Sequence, residues 1–337
     1  MMYYIVTTTK FAEDCIRFLT YGSTQSNWLA NINAGDIIFL SQFNYKSQSL
    51  FGPFTVVKEL FHNKTIIYPQ QSYFYRIRLK PIEKLKEIEE TDLYLNGIQV
   101  KNERFYFGLI NLLQQNKHLH CICLTRKEGE AVIETFKHFG LDHNYWAYSE
   151  LPGNIIDVNC KYLWEKNKLD KKHFFSSESD LESYIILSLK KNDSEEYENI
   201  NNLLGKYKNN HLRYSDIHNQ FIFGNAYPSD IAILNRNNIN VLELKKDKLS
   251  NSIILQIEKE IKKHLCYSLL SHRIESKNIE RFNFYLIFLR DKDNNQFKQI
   301  IIKKYNKLCK QLDALRENNI IFIEYYAKDS ILYLEEV

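Results

Sequence analysis

The chain has 337 residues, 44% apolar and 26% charged, and a formal net charge of +4. That length suits two domains with separate cores, and only ten glycines and five prolines exclude a collagenous or linker-dominated chain. No apolar run approaches the ~20 residues of a membrane span, and no basic start leads into an apolar stretch with a small-residue cleavage site, so the expectation is a cytoplasmic protein with no membrane partner.

In chain order, Tyr3–Thr8 reads as a strand and Ala12–Leu19 as a short helix with Ala12, Cys15, Ile16 and Leu19 on one side. Asp36–Leu40 and Phe51–Val57 read as strands around the turn-rich Asn44–Ser49, and Tyr73–Leu79 as a further strand. Ile82–Glu90, Arg104–Gln115 and Glu128–Phe139 have helical spacing, Leu119–Leu124 is strand-like, and Gly140 is a helix stop. Residues 1–150 are thus expected as one domain. Residues 151–173, with Leu151-Pro152-Gly153-Asn154 and the lysine-rich 161–172, read as a linker. A second domain, 174–337, opens with a helix over Leu181–Lys190. Strands follow at Gln220–Phe223, Asp230–Leu234 and Val241–Leu244, then a helix over Ser252–Leu270. A strand Asn283–Leu289, a helix Gln296–Arg316 and strands Ile320–Tyr326 and Ile331–Glu335 complete it. This order predicts an α/β sandwich around a mixed sheet.

Other chemistries lack their residues. The six cysteines include no Cys-x-x-Cys pair, and Cys121 and Cys123 sit in an apolar run, so buried reduced thiols are expected. No phosphate-loop, His-Glu-x-x-His or Gly-x-Ser-x-Gly pattern occurs. The 14% aromatic content fits AT-rich coding, with a share left for surfaces that stack bases.

The informative stretch is Asp230, which opens one apolar strand, and Glu243 with Lys245 on the next. Residues two apart on a strand face the same way, and a hairpin would bring Asp230 to the same edge. Two carboxylates and the Leu244 carbonyl can hold a hard divalent cation. Lys245 can orient a water and meet the charge that builds on phosphorus. Glu-x-Lys alone equally suits a solvated strand face, and Asp230 a turn; the joint pattern is more specific. With Pro228-Ser229-Asp230, twelve intervening residues, and Glu243-Leu244-Lys245, the second domain resembles the PD-(D/E)XK nuclease superfamily over about 160 residues. That resemblance implies a restriction-endonuclease-like fold, Glu182 as a helix acid completing a Mg²⁺ site (Mn²⁺ substituting) with Asp230 and Glu243, and Gln256 supporting it. Many nucleases of that class form homodimers, since two strands need two active centres, though nothing in the sequence fixes the oligomer.

Near the start, Thr20-Tyr21-Gly22-Ser23, Trp28, Gly35-Asp36 before a strand and Gly52-Pro53 in the next form a second pattern. It resembles the PUA-like superfamily, in its YTH, EVE and DCD branches, over about 80 residues. The resemblance implies a small β-barrel whose aromatic cage grips a nucleobase. Tyr21 stands where the YTH branch usually has Trp; Trp28, Phe43, Asn44 and Tyr73 or Phe74 are further base-binding candidates, with core packing the competing role for the rings.

A base-reading barrel joined to a metal nuclease resembles modification-dependent restriction endonucleases. The leading expectation is a Mg²⁺-dependent endonuclease cutting DNA near a modified base. A mismatch or damage repair nuclease, and an RNA- or DNA-binding protein with an inactive nuclease domain, are the alternatives; unmodified mismatched duplexes and metal-dependent cleavage separate them.

Overall fold

The computed structural model describes residues 1–8, 11–43, 48–68, 72–145, 157–160, 175, 177–190, 217–224, 228–235, 238–271, 273, 279, 281–310, 317–328 and 331–337. Asn44, the 151–154 turn and the 161–172 lysine run lie outside them. The protein is α/β and divides into two units, residues 1–163 and 164–337.

In the first unit, β1 (Tyr3–Thr8) leads to α1 (Ala12–Arg17), β2 (Thr20–Ser23) and α2 (Asn27–Ala30), then to β3 (Ile37–Phe43), β4 (Gln48–His62) and β5 (Tyr75–Glu89). The helices α3 (Glu90–Gln99) and α4 (Glu103–Asn116), strand β6 (Cys121–Leu124) and helix α5 (Arg126–Phe139) follow. The main sheet runs β2-β5-β4-β3-β1-β6, parallel only at β1–β3. Tyr21 on one edge strand nevertheless donates its hydroxyl to the His120 carbonyl, just ahead of the other edge strand, at 2.8 Å. The sheet is therefore curled into a half-barrel. Gly35 holds φ at +87° in the turn before β3, a conformation costly for any residue with a Cβ. At α5 the Thr125 side chain accepts from the Glu128 amide while the Glu128 carboxylate accepts from the Thr125 amide, satisfying two otherwise orphaned donors.

Two expectations are corrected here. Ile82–Glu90 is the second half of β5, not a helix. Its spacing of Ile82, Leu85 and Ile88 mimics a helical stripe, but it arises opposite a β4 whose register slips three times, at Gly52/Phe54, Val56/Lys58 and Lys58/Phe61. Each bulge changes which residues face inward, so period two is lost. The expected linker also contains structured residues. Within it β8 (Val158–Asn159) pairs with β4, while β7 (Leu141–Asp142), ahead of it, pairs with β5. Asp157 accepts from Lys58 at 2.5 Å and Asn63 at 2.6 Å, and Arg78 lies at 3.3 Å.

The second unit holds α6 (Glu178–Lys190), the antiparallel β9 (Ile217–Ile222), β10 (Pro228–Asn235) and β11 (Asn238–Leu244), then α7 (Asn251–Leu270), β12 (Arg281–Leu289), α8 (Asn294–Cys309), β13 (Glu317–Lys328) and β14 (Ile331–Glu336). The strand order is β14-β13-β12-β11-β10-β9, parallel at β11–β12 and β12–β13. Continuous Val, Ile, Leu and Phe runs suit strands covered on both faces. Val241, Phe284, Leu286 and Phe288 pack against Ile254, Ile257, Ile261 and Leu265 of α7 and Ile301 and Tyr305 of α8. Helix α6 packs on β10 and β11. Ser250 caps α7 by accepting from the Ile253 amide.

Candidate functional site

The β10–β11 register pairs Ile231 with Leu242 and Ala232 with Val241. One step further sets Asp230 across from Glu243, and facing residues in a pair share a face. The Leu244 amide donates to Asp230 Oδ2 at 2.8 Å and ties the acid to β11. Glu243 and Lys245 are 5% and 3% exposed, and Lys245 Nζ donates to Glu243 Oε1 at 2.9 Å. Helix α7 covers this face and presents Gln256, Glu260 and His264 at a spacing of four, one stripe of the helix. His264 Nε2 lies 3.7 Å from Glu243 Oε2, and Glu260 Oε2 lies 3.7 Å from Lys245 Nζ. Gln256 Nε2 donates to Glu260 Oε1 at 2.6 Å. Gln256 therefore meets the acids through Glu260 and Lys245.

Burial sets the electrostatics. It pushes the Asp230 carboxyl well above the usual range, and the neighbouring Glu243 adds to the push, against Lys245 and the Leu244 amide. Burial also raises Glu243 to about 7, opposed by Lys245. The Lys245 ammonium is disfavoured by burial, but Glu243, Glu260 and Asp230 outweigh that and hold its pKa above the ordinary lysine value. His264, buried, falls to about 4 and is neutral at pH 7.

Glu182 is placed differently from Asp230 and Glu243. It is buried, and its carboxylate accepts from the Asn219 amide and from Gln220 Nε2 at 2.8 and 3.0 Å. Gln220 has φ of +50°, and β9–β10 pairing skips from Phe221–Ser229 to Asn219–Ile231 there. The register is unbroken on either side of it, so the left-handed backbone at Gln220 itself, and not an inserted residue, accompanies the reach of its side chain to Glu182. Glu178, one turn earlier on α6, is the helix acid whose charge raises both Asp230 and Glu243. Among the described residues no three His, Cys, Asp or Glu side chains form a ligand group, so Asp230, Glu243 and Glu182 do not make a three-acid centre. Two carboxylates still match a hard cation. Mg²⁺ is usually held by one or two carboxylates, its other positions filled by water and substrate phosphate, and the two acids here repel one another in a buried setting that a cation would relieve.

The first unit has a separate pocket of about 70 Å³, lined by Thr7, Phe11, Tyr21, Tyr68, Tyr73, Lys117 and His120 among others. Phe11, Tyr68 and Tyr73 rings meet at 5.4–6.2 Å, Tyr73 meets His120 at 6.3 Å, and Trp28 lies 5.9 Å from His120. Lys117 Nζ, on the pocket wall, lies 4.0 Å from the Phe43 ring centre. Tyr21 is 2% exposed, and its hydroxyl donates to the carbonyls of Thr7 (2.9 Å) and His120 (2.8 Å). It forms the floor, with a hydroxyl already engaged. Tyr73 and Trp28 are half-buried and Phe43 adjoins the wall; Phe74 instead packs its ring against His62 at 5.8 Å. The Thr7 hydroxyl is buried with no hydrogen-bond partner among the described residues. Phe11, Tyr68 and the Lys117–His120 segment are far apart in the chain, and the sequence carries no local signal that groups them. For Glu260 and His264 a signal was present: both continue the helical stripe begun by Gln256.

No protein-family model matches this chain, and no curated protein does. Among solved structures, human THYN1 in complex with 5-methylcytosine-containing DNA is similar at 14% identity and TM-score 0.29, over 40% of this chain and 96% of that one. A crystal structure of a protein from Pseudomonas putida is similar at 9% identity and TM-score 0.27, over 40% of this chain and 98% of that one.

Proposed function

We propose that this protein is a divalent-cation-dependent endonuclease acting on DNA, with Asp230, Glu243 and Lys245 as its hydrolytic centre. The observation that carries the reading is the convergence of the half-buried Asp230 carboxylate, the buried Glu243 carboxylate and the buried Lys245 ammonium on one face of a β-hairpin. Such an assembly repels itself and is costly to bury, so a stability role explains it poorly. Asp230 and Glu243 would hold the cation, Mg²⁺ or in its place Mn²⁺. A cation bound there supplies Lewis acidity and a water of lowered pKa. Lys245 keeps its proton at neutral pH and so serves as a positive charge facing the phosphate rather than as a base. Glu260 stands 3.7 Å from Lys245 and the neutral His264 3.7 Å from Glu243.

The aromatic pocket of the first unit serves as the base-reading element of the same proposal. Flat rings with a lysine and a buried threonine hydroxyl that has no partner among the described residues are the chemistry that stacks a base and reads its edge. In this reading a modified base directs the cut. Cleavage of 5-methylcytosine, 5-hydroxymethylcytosine and unmodified duplexes is compared with Mg²⁺, Mn²⁺ and EDTA. Metal-dependent cleavage lost in Glu243→Gln supports the hydrolytic centre. Equal cleavage by that variant sinks it, and equal cleavage of all three duplexes sinks modification dependence alone.

A further inference from the structure

Among the described residues Lys245 hydrogen-bonds Glu243 and stands just out of hydrogen-bond range of Glu260. Nζ is 2.9 Å from Glu243 Oε1 and 3.7 Å from Glu260 Oε2. Glu260 Oε2 is itself buried and accepts no hydrogen bond among the described residues. Its companion oxygen is fixed by Gln256 at 2.6 Å, one helical turn earlier. A buried carboxylate oxygen with no donor is costly, and an ammonium less than an ångström beyond hydrogen-bond range is its obvious partner. Glu243, in contrast, is asked to do two things. It holds the ammonium, and in the proposed hydrolytic centre it also holds a cation. Both positive charges on one carboxylate would compete.

We infer that Glu260 is the second seat of Lys245, which moves from Glu243 to Glu260 when the Glu243 carboxylate turns to a divalent cation. Glu260 is thus a positioning residue. It frees Glu243 for the cation and keeps the ammonium beside the place where the phosphate would lie. Gln256 holds Glu260 in the rotamer that receives it. His264, neutral and 3.7 Å from the other Glu243 oxygen, does not contest the ammonium. The inference rests on the hydrolytic reading of this face, and it assigns a task to two helix residues outside the Asp-Glu-Lys set.

The test measures cation binding and the ammonium directly, on the full chain without nucleic acid. Mn²⁺ affinity is read by electron paramagnetic resonance for the native protein, Glu243→Gln, Glu260→Gln and Glu260→Ala. The Lys245 side-chain ¹⁵N resonance, identified by its loss in Lys245→Arg, is followed on adding Mg²⁺. Native protein should bind Mn²⁺ and shift the Lys245 resonance. Glu260→Gln and Glu260→Ala should bind about tenfold or more weakly, the scale expected when a residue supporting a metal ligand is removed, and their Lys245 signal should stay put. Glu260→Gln is nearly isosteric and keeps the Gln256 contact, so it reads the effect even where Glu260→Ala folds poorly. Native-like binding and a native-like Lys245 shift in Glu260→Gln would overturn the inference while leaving the hydrolytic centre intact. Native binding no stronger than that of Glu243→Gln would overturn both.

Discussion

The Leu244 amide donates to Asp230 Oδ2 at 2.8 Å, so the first acid of the site is fastened to the backbone between the second acid and the lysine. One hydrogen bond thereby sets the spacing of Asp230 and Glu243, and a register slip of one residue would send Glu243 and Lys245 to the other face.

Asp230→Asn should separate stability from function. An asparagine oxygen can still accept from Leu244, while the repulsion with Glu243 disappears. The variant is expected to be more stable than native protein by ~0.5–2 kcal/mol, the range for relieving strain at a functional site, and to lose cation binding and cleavage. Urea denaturation in EDTA checks the first part. A destabilised Asp230→Asn would show that the acid is structural.

Lys245→Met should be costly. It strips the ammonium from a buried carboxylate, and breaking such a pair costs about 3–5 kcal/mol. Glu243→Gln/Lys245→Met should recover most of that loss, because no charge is left uncompensated. Denaturation of the two singles and the double gives the coupling. Additive losses would mean that the 2.9 Å contact contributes little.

Cation binding should depend on pH with a defined sign. Glu243 holds its proton up to about 7 because burial penalises the carboxylate. The cation needs the ionised form, so affinity should fall as pH drops below about 7, by about tenfold per unit or more well below it, and the raised Asp230 carboxyl adds to the dependence in the same sense. The same raised pKa means that Glu243 favours the folded state fully below the unfolded value near 4.5, and that this contribution is lost as pH rises through about 7. Calorimetric titration with Mg²⁺ from pH 5.5 to 8.5 measures it. A flat profile would contradict the burial argument.

Tyr73→Ala and Tyr21→Phe should part company. Tyr73 is half-buried on the pocket wall, so its loss should weaken nucleic-acid binding by about 1–3 kcal/mol, as for a stacked ring, and leave the melting temperature nearly unchanged. Tyr21→Phe withdraws a donor from two carbonyls and should cost about 1–3 kcal/mol of stability. Fluorescence anisotropy and thermal melts on the same samples separate them. Tight binding by Tyr73→Ala would remove the pocket from the reading.

Much of the second unit was legible in the sequence. The strands β10, β11 and β12 and the helices α6 and α7 lie close to their expected bounds, because short apolar runs set off by polar segments suit strands and long four-residue stripes suit helices. Glu243 and Lys245 share a face, as strand alternation requires. The helix acid was harder to read. Glu178, Asp180 and Glu182 fall within one and a half turns, and their spacing cannot say which reaches the strands. The amides of Asn219 and Gln220, the latter on left-handed backbone, hold the Glu182 carboxylate. In the first unit β5 was half misread, because the bulges in β4 erased its alternation.

The sequence by itself determined the elements around the candidate site, β10, β11 and α7, and put Glu243 and Lys245 on one face of a strand, since each depends on neighbours within a few residues. Only the tertiary structure decided that Tyr21 closes a curled sheet, that Trp28, Tyr73 and Lys117 gather with His120, and that Glu260 and His264 stand beside the acids. Those relationships are made by hydrogen bonds, register and packing between residues up to a hundred positions apart, and no local pattern encodes the distance across a fold.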